Sequence, residues 1–518
     1  GEMSELDIAK WSGRINANQN RVYNHVSEED MLDTVCSQFE NVIVVVNANN
    51  AMELDWVDKY EQIGAVIYAP GAGATGFEAL GEIINGSVNP SGKTVDTFVK
   101  DLQQTPYYNN IGLNAYTNVD DLKNQIAKND AAYEGSMGFV NYAEGIYVGY
   151  KFYETAAEEG LIQYEDTVQY PFGYGLSYTT FDKTIENFKD NGDTVTFDVT
   201  VKNTGDVAGK DVIELYYTAP YTNGGIEKAA ANLIAFEKTE TLDPGAAETK
   251  SITINKEDMA SYDSEGIKIS GGGYILEAGE YTISLRSDSH TVLAEEKFTV
   301  DSDIDYSKAG RSSDETVATN QFEDYSRGDF EQLSRANGFA NYKEATAAPE
   351  SLSMSKEAKK EFINNSNYNP EDYNNEEDKM PETGAKNDIE LADLRGVDYD
   401  DAKWDELLDN MTISDMDTVI ALGGYQTAAA SSVGKVQTID CDGPASINNN
   451  FTGTGSIGFP SAVMIACTWN DEIAMEFGES IGKMADEMGV SGWYAPAMNI
   501  HRSAFGGRNF EYYSEDGL

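Results

Sequence analysis

The sequence predicts a multidomain fold: an α/β domain, then a β-sandwich, then a long irregular linker and the opening of a second α/β unit. Three observations carry this. Apolar runs alternate with helical patterns up to about residue 180, a period of two takes over from 181 to about 300, and periodicity vanishes from 301 to about 400. A length of 518 residues fits about three domains at roughly 100–200 residues each.

Asn41-Val42-Ile43-Val44-Val45-Val46-Asn47 is a continuous β-branched run, the pattern of a strand buried on both faces. A short helical stretch around Met52–Tyr60 follows, then a second apolar run, Ala65–Ala69, and a helix over Phe77–Ile84. That spacing implies parallel strands joined by right-handed crossovers. From 181 the text changes. Val195, Phe197, Val199 and Val201 alternate with Thr196, Asp198, Thr200 and Lys202, which predicts a half-buried antiparallel strand. Val212–Tyr217, Tyr281–Leu285 and Lys297–Val300 supply more strands, with turns at Asn203-Thr204-Gly205 and Asp243-Pro244-Gly245. Short, punctuated strands over about 120 residues suggest a sandwich of immunoglobulin or fibronectin type.

Residues 301–400 hold 24 acidic and 11 basic side chains and include Asn- and Glu-rich text such as Asn364–Glu377, read as a linker draped over the domains. Helical signals return near Trp404. Ile473, Phe477, Ile481, Ala485 and Met488 form one apolar stripe, so a helix is expected from about Asp471 to Met488, with Gly489 just past its end. Val463–Cys467 before it reads as a buried strand. This unit runs for roughly 118 residues, against about 250 for a complete (β/α)8 barrel.

With 36 Lys and Arg against 89 Asp and Glu, the formal charge is −53. Phosphate binding needs a basic surface, so a nucleic-acid partner is not expected, and adsorption to anionic membranes is disfavoured. No run of 18 apolar residues occurs to span a bilayer. Three cysteines (Cys36, Cys441, Cys467) cannot build a disulfide framework, and three scattered histidines (His25, His290, His501) assemble no metal site.

Two motifs resemble nucleotide sites and lack the necessary context. Gly71-Ala72-Gly73-Ala74-Thr75-Gly76 is a literal G-x-G-x-x-G, but the acidic residue that should end the next strand and hold a ribose is replaced by Asp96 in a loop. A tight structural turn is the expectation. Gly86 to Gly92-Lys93-Thr94 approximates a P-loop with one residue too many and Pro90 inside it, and reads as a surface turn. No cofactor is expected. His501 beside Arg502 has no Ser or Cys at a spacing that suggests a hydrolytic triad.

Residues 440–518 carry the chemistry. Asp442 sits on a Gly-Pro turn after a short apolar run, Phe459-Pro460-Ser461 enters the next apolar segment, and Asn499–Ser503 leads to Gly506–Glu511. These read as loops at the ends of successive barrel strands, each bearing a polar group. Carboxylates and the rigid donor fork of Arg508 suit sugar hydroxyls or carboxylate partners. The alternative for Arg508 is an internal ion pair with Glu511.

This text resembles glycoside hydrolase family 3, the β-glucosidase/β-xylosidase family. The matching motifs are "DGPA" (442–445), "FP" (459–460), "TWN" (468–470), "AP" (495–496), "NIHRS" (499–503) and "GGRNFEYYSED" (506–516). "NPSGKT" (89–94), "YVGYKFYET" (147–155) and "YPFGYGLSYTTF" (170–181) are similar to that family's α/β sandwich domain, and "NTGDVAGKDVIELYY" (203–217) to its fibronectin type III-like domain. The resemblance implies domains at 1–180, 181–300 and 401–518 around the 301–400 linker, with the barrel last, as in the family's permuted members. It also implies exo-hydrolysis of terminal β-D-glucosyl residues on a β-linked oligosaccharide or glycoside. The alternatives are xylose or arabinose specificity, or a non-catalytic glycan-binding or structural protein on the same scaffold.

Retaining glycosidases use two carboxyl groups about 5–5.5 Å apart, a nucleophile and an acid/base. The resemblance implies Glu2 as acid/base, from a Gly-Glu segment upstream of a strand like Asn41–Asn47, although Met3–Asp7 departs from the usual Gly-x-Asp continuation. It implies Asp442 and Arg508 as sugar-binding groups; "DGPAS" lacks the Gly and Arg that usually follow. The family's Lys-His pair and the Ser-Asp-Trp segment with the nucleophilic Asp do not occur before Leu518, so a piece of a longer polypeptide is expected. The purified 518-residue chain should therefore not turn over an aryl β-glucoside, because the covalent route needs the nucleophile. Robust turnover would overturn both the missing nucleophile and the carried-over roles.

Overall fold

The computed structural model describes residues 28–112, 114–119, 138–320, 331–350, 352–361, 370–379, 382–449 and 452–518. They fall into two compact units. One comprises Gly1–Phe362, Ser461–Asp471 and Met498–Leu518; the other comprises Ile363–Pro460 and Glu472–Ala497.

The first unit opens with α1 (Glu28–Cys36), β1 (Val42–Val46), β2 (Ile63–Tyr68) and α2 (Phe77–Asn85). β1 and β2 pair in parallel, with Val44 opposite Val66. β1 buries Val42 and Val46 but exposes Ile43 and Val45, so it is covered on one face where two were expected. Among the described residues no element lies over the other face. The helix expected around Met52–Tyr60 is only a 3-10 turn, Asp55–Lys59, without a side-chain cap. Gly86 ends α2 at φ +80°, its N–H bonding back to Glu82 and Ile83, so the first glycine of the P-loop look-alike is a helix terminator. In the G-x-G-x-x-G turn, a Cβ on Gly76 would lie 2.1 Å from the Ala72 carbonyl oxygen. A close chain turn requires that glycine, as expected for a structural motif.

Further on, β3 (Phe98–Val99) pairs with β4 (Val168–Tyr170), and α3 (Tyr150–Glu158) lies almost wholly inside the domain. Its Phe152 and Tyr153 join Phe98, Tyr147, Phe339 and Phe505 in one aromatic-rich core.

Seven strands follow: β5 (Phe181–Asp190), β6 (Thr194–Asn203), β7 (Val212–Thr218), β8 (Asn232–Lys238), β9 (Ala247–Asn255), β10 (Gly279–Arg286) and β11 (Val292–Val300). They form a four-stranded sheet, β8-β7-β10-β11, and a three-stranded sheet, β9-β6-β5, both antiparallel. The alternation read in β6 holds: Val195, Phe197, Val199 and Val201 are buried against Ile213, Leu215, Ile283 and Leu285. The buried Asn203 donates to Val207 and Leu242 carbonyls at 2.8 Å and fixes the turn read at that position.

The sandwich is joined to the α/β domain by a buried polar knot. Lys93 Nζ donates to the carbonyls of Gly173 (3.1 Å) and Ser287 (2.8 Å) and pairs with Glu214 at 3.3 Å. The lysine of the P-loop look-alike is thus an interior tie. Burial raises Glu214 to about 7, against the pull of the Lys93 and Lys183 charges. Part of the 301–400 text lies on this unit: Leu333 and Phe339 enter the aromatic core, and Arg335 pairs with Glu158 (2.6 Å) and Glu159 (2.7 Å).

The second unit contains α4 (Lys403–Asn410), α5 (Ile413–Ala421) and β12 (Thr438–Asp442). Val463–Cys467, read as a strand, is instead helical. Helix α6 (Ala462–Ala466) belongs to the first unit and is capped by Ser461 Oγ, which accepts from Met464 N. Five apolar residues fit a helix or a strand equally well, and the Ser461 cap decides between them. Val463, Cys467 and Trp469 pack there against Tyr150, Phe172 and Tyr216. Helix α7 spans Asp471–Met488 as read, with Gly489 at φ +69°. β13 (Gly492–Tyr494) then pairs in parallel with β12, so β12, α7 and β13 form a βαβ unit around Cys441, Ile481 and Trp493.

Candidate active site

Asp442 is the last residue of β12, half-buried, opposite Tyr494 of β13. Gly443 N donates to its Oδ1 at 3.0 Å and the Tyr425 hydroxyl to its Oδ2 at 3.1 Å. That hydrogen bond and the Asp442 charge raise the Tyr425 phenol. A Cβ on Gly443 would lie 2.4 Å from Ala495 Cβ, so only glycine fits behind the carboxylate. Tyr425 takes φ +55°, a conformation that L side chains adopt at a cost. Sequence patterns did not single out Tyr425; its signal was the Gly423-Gly424-Tyr425 turn.

Arg508 belongs to the first unit and Asp442 to the second. Arg508 precedes a 3-10 turn, Asn509–Glu511, and its Nε pairs with Glu511 Oε1. The ion-pair alternative is what the structure contains. The guanidinium side chain is nonetheless 63% exposed, whereas Glu511 is only 8% exposed. Glu2 lies outside the described residues, as does His25.

The text around Arg508 is held by groups from the α/β domain. Arg502 forks onto Glu144 through Nε and Nη2, and Asn50 Nδ2 donates to the Ala504 (2.9 Å) and Gly506 (2.7 Å) carbonyls. Glu515 accepts from Thr97 N (2.9 Å), Thr97 Oγ1 (2.7 Å) and Tyr150 N (2.7 Å). Asp516 takes the Tyr150 hydroxyl at 2.7 Å and Lys151 at 2.8 Å. His501 does have a partner: its Nδ1 is 2.6 Å from Asp96 Oδ1, both groups buried. Its Nε2 lies 2.9 Å from the Asn509 carbonyl oxygen and 3.1 Å from that of Tyr512.

All of these neighbours are oxygen acceptors, and only the imidazolium offers a proton on both nitrogens. Burial alone would lower the His501 pKa; the Asp96 charge and hydrogen bond outweigh it and lift the group to about 9. Burial and the Asp96 charge likewise raise Glu515, against the donors of Thr97 and Tyr150.

A model of the glycosyl hydrolase family 3 C-terminal domain matches residues 16–150, and one of the fibronectin type III-like domain matches residues 211–289. Beta-glucosidase A of Butyrivibrio fibrisolvens is 31% identical over 523 residues, covering 96% of this chain and 59% of its own length. A beta-glucosidase of Ruminococcus albus is 29% identical over 505 residues, covering 94% of this chain and 46% of its own. The chain thus spans about half the length of these relatives. A crystal structure of a beta-glucosidase from Paenibacillus barengoltzii superposes with a TM-score of 0.68 at 22% identity, over 100% of this chain and 54% of that one, a likeness of fold.

The raised His501 has a thermodynamic consequence. A pKa that climbs from 6.5 to about 9 on folding stabilises fully below pH 6.5 and is lost as pH rises through 9. The scale is about 3 kcal/mol, and Glu515, also raised, acts in the same direction over a lower range. Urea midpoints should therefore fall between pH 6 and 10, and His501→Gln should flatten the alkaline part of that fall. A wild-type midpoint independent of pH across this range would contradict the charged pair.

The α/β domain thus carries the glycosyl hydrolase family 3 C-terminal domain, the sandwich that follows it carries that family's fibronectin type III-like companion, and the beta-glucosidases named above align through nearly the whole sequence.

Proposed function

We propose that this chain forms part of a retaining exo-β-glucosidase that hydrolyses terminal non-reducing β-D-glucosyl residues. The observation that carries the reading is the alignment with beta-glucosidase A through 96% of this chain. The relatives' names favour glucose over xylose or arabinose. In this reading β12, α7 and β13 begin a (β/α)8 barrel, and Asp442 stands at the C-terminal end of a barrel strand, the edge where such barrels carry their chemistry. The nucleophilic Asp would come from outside these 518 residues, and Glu2 would serve as the acid/base.

Asp442 suits a sugar-binding role. Two fixed donors orient its carboxylate, and an ionised carboxylate has about four acceptor positions, which leaves room for hydroxyl donors of a ring. Arg508 would donate to sugar hydroxyls. The contacts of a sugar-binding side chain strengthen as the ring flattens toward an oxocarbenium-like state.

In a catalytically competent polypeptide containing this chain, Asp442→Ala should lower kcat/KM by at least about 2–3 kcal/mol, the scale of hydrogen bonds to a charged group. Its Tm should change little. Arg508→Ala should lower kcat/KM similarly and also lower Tm, because Glu511 is left buried without its partner. An Asp442 variant that melts several degrees lower yet keeps wild-type kcat/KM would make that residue structural.

Glu2→Gln should abolish hydrolysis of substrates with poor leaving groups while activated aryl glycosides, with added azide, recover in part. The acid matters least when the leaving group needs no proton. Equal loss on all substrates without azide rescue would move the role to another carboxylate.

A further inference from the structure

Asp96 is a loop residue of the α/β domain, His501 lies 405 positions later, and each is buried with few ways to be satisfied. His501 sits inside the loop that it belongs to. Its backbone N–H bonds to the Ser514 carbonyl at 2.8 Å, and its Nε2 faces the carbonyls of Asn509 and Tyr512. Those two carbonyls bracket the turn that follows Arg508 and contains Glu511. The imidazole is therefore a rigid spacer between the Asp96 carboxylate and the Arg508 turn. We propose that Asp96 and His501 form a positioning pair: Asp96 orients the imidazolium, and the imidazolium holds the Arg508–Tyr512 turn so that the guanidinium is presented to the sugar. This rests on the reading of Arg508 as a sugar-binding group.

The surroundings fit a pair that must stay charged. Among the described residues Asp96 Oδ2 is buried without a hydrogen-bond partner, so much of the carboxylate is answered by His501. Other titratable groups near Asp96 are Glu515, the Tyr68 and Tyr107 hydroxyls and the Cys467 thiol, each raised partly by its charge. The Tyr512 ring lies 6.3 Å from the imidazole. The nearby cations Lys151, Arg502 and Arg508 are engaged by Asp516, Glu144 and Glu511 respectively. Loss of the His501 proton would set a nitrogen lone pair against an oxygen, either at Asp96 or at the two carbonyls, and the turn would relax.

Two experiments test this, one without activity. The chain has only three histidines, so imidazole signals can be assigned in the 518-residue chain by His→Gln variants. The imidazole signal that vanishes in His501→Gln should titrate well above the ordinary histidine range, and amide exchange over residues 509–513 should accelerate at least tenfold in that variant. In the unmodified chain the same amides should lose protection as His501 deprotonates, beyond ordinary base catalysis, which keeps the test alive if the variant folds poorly. Unchanged exchange in both cases overturns the proposal, whatever the chain's activity.

The second experiment uses a catalytically competent polypeptide. Asp96→Asn should lower kcat/KM by 10- to 100-fold, with an alkaline limb shifted to lower pH. In an Arg508→Ala background it should have almost no further effect. Independent, additive losses would show that the pair does not act through Arg508. If Arg508→Ala itself costs nothing while exchange over 509–513 still responds to His501, the functional reading of Arg508 fails and the clasp on the turn stands.

Discussion

Glu515 is sealed into a site with no space to spare: a Cβ on Gly149 would lie 2.2 Å from its Cδ. Gly149 also has φ +58° and ψ −139°, which only glycine adopts without strain. Around that contact the rest of the first unit is ordered. Tyr150 follows Gly149, donates its N–H to Glu515 and its hydroxyl to Asp516, and accepts Leu233 N at 2.8 Å. One residue at the start of α3 thereby joins the α/β domain, the sandwich strand β8 and the loop that carries Arg508. Its ring completes the joint, stacked on Phe172 at 4.7 Å and edge-on to Tyr216. Misplacing Glu515 would disturb all three segments together.

The fold was legible wherever a period could express itself. β6 alternates because one face looks inward to the sandwich core, and α7 shows its stripe because one side packs on Cys441 and Trp493. Three elements were misread, and all are short: the helix expected around Met52–Tyr60 shrinks to a 3-10 turn. Val463–Cys467 is five apolar residues, too few to separate helix from strand, and Ser461 settled it. β1 looked doubly buried because Val and Ile occupy both faces, while only Val42 and Val46 are covered. Composition describes what a strand tolerates; burial depends on what lies beside it.

The site divides along the same line. Asp442 and Arg508 could be singled out because each sits in a compact motif. The groups that hold the loop around Arg508 could not. Asp96, Thr97, Glu144 and Tyr150 are separated from their partners by hundreds of residues, and no local spacing reports such pairings. Asp96 drew notice only as the wrong acid for a ribose, and His501 seemed to lack a partner because its partner is a carboxylate rather than a nucleophile. The high acidic content hid them further, since a chain with 89 carboxyl groups gives no compositional hint of the few that are interior.

The 405-residue separation between Asp96 and His501 also sets an order of events during synthesis. At roughly 5–20 residues per second, Asp96 leaves the ribosome about 20–80 seconds before His501 exists. Through that interval the nascent α/β domain carries a carboxylate without its counter-charge and a cleft for Phe505 that is still open. Domains tend to fold as units while the chain emerges, so this part of the domain is completed only once residues 498–518 have been made and docked.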